Sequence, residues 1–202
     1  METNDVVEMM EAAFKENDRA LVDSEYVSFE TQWIGTLLSS SGTMCIQPKL
    51  EEDLDAYTLD CELPTGEFEI HVATASDRFR RFPAFIRINI SMTPVTEWKR
   101  ARTKTSRNFN VAYARWFTII DRNLQEKIYS DNEVRLATSQ TKKKNVSWDD
   151  DCDVKVYDNR IDGFVSLGQS DNNGDGMAGG YIGYADGEPV SVVFDLHLSG
   201  LR

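Results

Sequence analysis

The chain's 202 residues suffice for one substantial hydrophobic core, and 41% hydrophobic against 28% charged residues is the composition of a soluble globular protein. No apolar run approaches the ~20 residues of a membrane helix, which excludes a spanning or anchored protein. With 34 acidic and 22 basic side chains the net charge is -12, which repels phosphate backbones, argues against nucleic acid as a direct ligand and either favours a basic protein partner or merely keeps the protein soluble.

The start, Met1-Glu2-Thr3-Asn4-Asp5, is acidic and lacks the basic head and apolar centre of a secretory signal. Cys45, Cys61 and Cys152 are an odd, widely spaced set, with neither C-x-x-C spacing nor the density of a disulfide scaffold. Both features point to a reducing cytoplasm.

Val6, Met10, Ala13, Phe14 and Leu21 recur at helical spacing and predict an N-terminal helix over about residues 4–21. Two short apolar runs, Trp33 to Leu38 and Thr43 to Ile46, flank Ser39-Ser40-Ser41-Gly42 and predict a hairpin there. After a carboxylate-rich stretch, Pro64-Thr65-Gly66 leads into Phe68, Ile70 and Val72 at period two, the mark of a strand. A partner strand follows, with Ile86, Ile88 and Ile90 on one face and Phe85, Arg87 and Asn89 on the other. The connecting loop carries Arg78, Arg80 and Arg81, read as a solvated edge.

Thr93 to Ala101 has a proline early and then Lys, Arg and Ala, which predicts a short helical turn. Phe109 to Ile120 reads as a buried strand running into a helix from about Asp121 to Ala137. Lys142 to Lys144 and the acidic block Asp149 to Asp153 read as a solvated loop. Ile161 to Leu167, Tyr181 to Ala185 and Val190 to Leu198 are further strands, the last two joined by Asp186-Gly187, a two-residue hairpin signal. The sum is a single α+β domain over residues 1–202, mainly antiparallel and either sandwich-like or a curved sheet, with an N-terminal helix and one or two further helices.

Several landmarks fall in a fixed order: Gly35, Leu37, Ser41-Gly42 and Cys45-Ile46-Gln47-Pro48; Pro64, Gly66 and Phe68; Trp98 and Ala101; then Gly174-Asp175-Gly176, Gly180-Tyr181, Asp186-Gly187 and Val190 to Asp195. Together they resemble a bacterial family of uncharacterised proteins, domain of unknown function 4241, over roughly residues 30–198. Gln47 stands where that family has aspartate, and its mid-chain Val-Asp-x-Gly element is replaced by Val111-Ala112-Tyr113-Ala114. The resemblance implies a fold and brings no catalytic residues with it.

The stretch from Asp171 to Gly187 has the most recognisable spacing. Asp171, Asn173, Asp175 and Gly176 satisfy the first six positions of a calcium loop, but the twelfth, which should be a bidentate glutamate, is Ile182. Asn, Asp and Gly are also the ordinary turn residues, so a structural Gly-rich loop is the first reading and calcium at Asp171, Asn173 and Asp175 the second. No Lys-Ser/Thr follows the glycines, which removes a phosphate loop. Ser191, Asp195 and His197 share a strand face, yet serine and histidine would lie ~20 Å apart, too far for a triad. His71 and His197 are the only histidines, too few for a metal cluster on one strand.

These features predict a non-enzymatic acidic binding protein with no catalytic residues, such as an immunity protein neutralising a basic toxin. Its partner-contacting or ligand-contacting residues would be Asp171, Asn173, Asp175, Tyr181 and Asp186. The alternative is an ion- or ligand-dependent protein, a hydrolase among the options, built on the loop at 171–187.

Overall fold

The computed structural model describes residues 3–15, 19–22, 25–47, 57–76, 81–105, 108–113, 116–130, 143–145, 154–157, 164–169 and 176–196. Most of them lie in two antiparallel sheets, with two helices, in agreement with the α+β class expected from the sequence.

The larger sheet is built from β1 (Arg19–Val22), β2 (Glu25–Ser39), β4 (Gly66–Ser76), β5 (Arg81–Asn89), β13 (Glu188–Asp195), β12 (Gly176–Ala185) and β6 (Glu97–Arg100), hydrogen-bonded in that order. An eighth strand, β7 (Asn110–Tyr113), also pairs with β12. The smaller sheet runs β3 (Met44–Gln47), β8 (Trp116–Asp121), β11 (Phe164–Gln169), β10 (Val154–Tyr157), β9 (Lys143–Asn145).

The larger sheet is covered on both faces because its strands alternate two kinds of apolar residue. Phe68, Ile70 and Val72 of β4, Ile86 and Ile88 of β5 and Val192 and Phe194 of β13 point one way, and meet Met44 and Ile46 of β3 and Ile119 of β8. Ala73 and Ala75, Phe85 and Val193 point the other way and receive helix α1 (Thr3–Ala13) through Val6, Met9, Met10 and Ala13. Each fully buried Ile or Phe contributes ~1.5–3 kcal/mol of transfer free energy, so the double-sided core is the main source of stability.

Five expectations are corrected. The N-terminal helix stops at Ala13 instead of about residue 21, because Arg19–Val22 pairs with the start of β2 as a strand. The turn at residues 39–42 does not close a hairpin: β2 stays in the larger sheet beside β4, while β3 leaves for the smaller sheet beside β8. The chain is diverted there by Asp121, whose carboxylate accepts from the backbone and hydroxyls of Ser40 and Ser41. The supposed helical turn at 93–101 is strand β6, since pairing with β12 outweighs the weak helical preference of Lys, Arg and Ala. Phe109 to Ile120 is not one strand but two, β7 and β8, in different sheets. Lys143–Asn145, read as loop, is an edge strand beside β10.

The second helix, α2 (Arg122–Ser130), falls inside the predicted span, and residues 131–137 lie outside the described ones. Asp121 caps it, its Oδ1 accepting from the Asn123 N–H at 3.0 Å. The β4/β5 pairing and the Asp186-Gly187 hairpin are as expected. Both central residues of that turn have positive φ, 52° and 86°, which matches the twist of the flanking strands.

Candidate functional site

The Gly-rich stretch is resolved into strand from Gly176 onward. β12 carries β13 along one edge and β7 then β6 along the other, so it is a ladder shared by three strands and not a loop. Its glycines make room for neighbours: a Cβ at Gly180 would sit 2.8 Å from the Phe109 ring and 3.0 Å from Ala101 Cβ, and one at Gly183 would sit 2.7 Å from Val95. Asp171, Asn173 and Asp175 lie outside the described residues. Tyr181 is buried among the residues that receive α1, and Asp186 is exposed at the hairpin tip, so these two do not share a site. Burial raises the Tyr181 phenol's pKa; Arg100 pulls it back and Asp195 raises it further.

The other residues with chemical potential are engaged in the fold. The Ser191 hydroxyl accepts from Arg87 Nε at 3.0 Å and donates to the Ile88 carbonyl at 3.3 Å. The Arg87 guanidinium lies 5.5 Å from the centre of the Phe14 ring. Burial lowers its pKa, and the nearby Glu11 carboxylate opposes the shift. Glu11 also accepts from Trp98 Nε1 at 2.7 Å, which ties the last turn of α1 to β6.

Cys45 is fully buried, 3.1 Å from the Thr58 hydroxyl, which also accepts from Arg122. Burial pushes its thiol up. Cys61 lies 3.8 Å from the Tyr184 hydroxyl, and burial raises this thiol too. Tyr184 is pushed up to about 12, by burial first and then by Cys61. Burial therefore disfavours the thiolate, the nucleophilic and metal-binding form, at both described thiols. Among the described residues no three His, Cys, Asp or Glu side chains are grouped to hold a metal ion, and no helix is long and apolar enough to cross a membrane.

Among the described residues, part of the sheet face that receives α1 is exposed. Helix α1 ends at Ala13, whose carbonyl accepts from the Thr31 hydroxyl at 2.8 Å. Along β2, Val27 and Phe29 lie under the helix and are buried, but Trp33, two residues past Thr31 on the same face, is 51% exposed. Opposite Trp33 stands His71 of β4, and the same face of β4 continues with Glu69 and Glu67, which pair with Thr36 and Leu38. His71 Nε2 and Glu69 Oε2 are 3.2 Å apart. The register shift between Trp33 and Gly35 keeps Trp33 and Thr36 on one face while Ile34 and Leu37 turn to the core.

This ledge was not singled out by sequence reasoning. Glu67, Glu69 and His71 alternate with Phe68, Ile70 and Val72, so the polar face of that strand is legible. What is missing is the register that sets Trp33 beside it, and the point at which the helix ends.

Architecture and surface together define an α+β protein with a central antiparallel sheet, covered by a helix and a second sheet and bare at one corner. No family model, curated protein or solved structure matches the chain.

Proposed function

We propose that this chain is a non-enzymatic binding protein of the cytoplasm whose acidic surface engages a basic protein, in the manner of an immunity protein masking a basic toxin. The observation that carries this reading is Trp33, a large aromatic held half-exposed on a long strand of the central sheet, opposite His71, diagonal to the exposed carboxylate Glu69 and with the exposed Glu67 further along the same face. A rigid exposed aromatic within a polar surround is the usual anchor of a protein interface. The charge of -12 supplies long-range attraction for a cationic partner and repulsion for nucleic acid. The Ser191 hydroxyl is taken up by Arg87 and the Ile88 carbonyl, and burial disfavours the thiolate at Cys45 and Cys61, so none of these three is presented as a free nucleophile. The resemblance to an uncharacterised bacterial family names no reaction to set against this.

The test is capture. Immobilised protein incubated at low salt with an extract of the source cells is expected to retain a protein of basic surface, released by salt, that forms a defined complex when the two purified components are mixed. Recovery of no partner, or of acidic partners alone, overturns the reading.

A further inference from the structure

Resting on that reading, we infer that Trp33, Glu67 and Glu69 form a seat for an arginine side chain presented by the partner. The exposed corner of the sheet carries one indole on β2, beside a register shift, and two carboxylates spaced along β4. Same-face residues on a strand lie ~7 Å apart, and diagonal cross-strand neighbours about as far, so one long side chain lying along the ledge reaches both the Trp33 ring and Glu69, while Glu67, one same-face step further, adds only to the local negative field. A guanidinium suits this pairing better than an ammonium, because its plane stacks on the indole while its edge donates two parallel hydrogen bonds to a carboxylate.

Of the neighbouring basic groups, Arg87 is half-buried, hydrogen-bonded to Ser191 and packed by Phe14, while the His71 imidazole lies 3.2 Å from Glu69, so an incoming guanidinium would compete with it for that carboxylate. An anionic ligand would meet Glu67 and Glu69 and the overall charge of -12, and an apolar one would leave the carboxylates without compensation.

The experiment uses labelled peptides of identical length with alternating glycine and either arginine, lysine, citrulline or glutamate, titrated with the full chain at low salt and followed by fluorescence anisotropy. The arginine peptide is expected to bind more tightly than the lysine peptide, with the citrulline and glutamate peptides far weaker. Trp33→Ala should weaken arginine-peptide binding by roughly 2- to 30-fold, the span of exposed to desolvated cation–π pairs. Trp33→Phe should recover part of the loss, and it serves alone if the alanine variant unfolds. Combined Glu67→Gln and Glu69→Gln should weaken binding at low salt and matter less at high salt. Glu188→Gln, on β13 two strands from β4, should change little.

Equal binding by wild type and both Trp33 variants overturns the seat while leaving a basic partner in place. Equal binding of the citrulline or glutamate peptide overturns its charge selectivity. Failure of every basic peptide to bind, together with failure to capture a basic protein, overturns the underlying function instead.

Discussion

Gly180 and Asp121 show how single residues decide this fold. A methyl group at Gly180 has nowhere to go, since the ring it would strike belongs to Phe109, fully buried and packed at a tilt against Phe194 with ring centres 5.5 Å apart. Gly180→Ala should therefore destabilise the protein by ~1–3 kcal/mol, the usual cost of overpacking, readable as a lower urea midpoint with unchanged slope.

Asp121, 2% exposed, is a pin between the two sheets. Burial by itself raises a carboxyl's pKa, but here the backbone and hydroxyl donors of Ser41 and Ser40 outweigh it and hold Asp121 below its ordinary value. A folded pKa lower than the unfolded one means that the carboxylate's contribution is complete above the unfolded value of about 3.9 and is lost as pH falls through the folded value. Asp121→Asn should cost ~1–3 kcal/mol at neutral pH. Its stability should also fall less steeply than the wild type's below about pH 4, measured by denaturant unfolding across that range. An aspartate just before a helix is legible as a cap. Its second role is not, because Ser40 and Ser41 lie 81 and 80 residues away in sequence.

At the scale of elements, what the sequence made legible is what depends on near neighbours. The alternation in β4 and β5 and the Asp186-Gly187 turn each follow from local sterics, and they appear where expected. The segment at 93–101 and the glycines of β12 misled for the opposite reason. Their local preferences, helix and turn, are weak, and each is overridden by the ladder the two segments make together: Ala101 N–H to Gly180 O and Thr96 N–H to Tyr184 O, both 2.8 Å.

Helix α1 is tied to this same region through the hydrogen bond from Trp98 Nε1 to Glu11, over its apolar face. Trp98→Phe keeps a ring but removes the donor to a carboxylate, so ~1–3 kcal/mol should be lost locally. Hydrogen exchange is expected to speed up in Val6–Ala13 while the amides shared by β4 and β5 keep their protection. Equal loss of protection in both would mean that helix and sheet open as one unit.

At the scale of the whole molecule, charge and surface act together. In the proposed complex a net charge of -12 would govern approach, and the Trp33 face of the larger sheet would govern what is held after contact. Weakening of the proposed complex by salt would report the first, and loss at Trp33 the second. By itself the sequence determined the composition class, the acidic field, the antiparallel strand-rich character and the hairpin at 186–187, since each follows from side-chain type or from residues close along the chain. Only the tertiary structure decided that β2 and β3 part into different sheets, that the Gly-rich stretch is a shared ladder, and that Trp33 stands in the open beside Glu67 and Glu69. Those outcomes rest on contacts between distant segments, and on where a covering helix stops. Burial is a property of neighbours brought by the fold, and a tryptophan on a strand reads the same in sequence whether or not a helix reaches far enough to cover it.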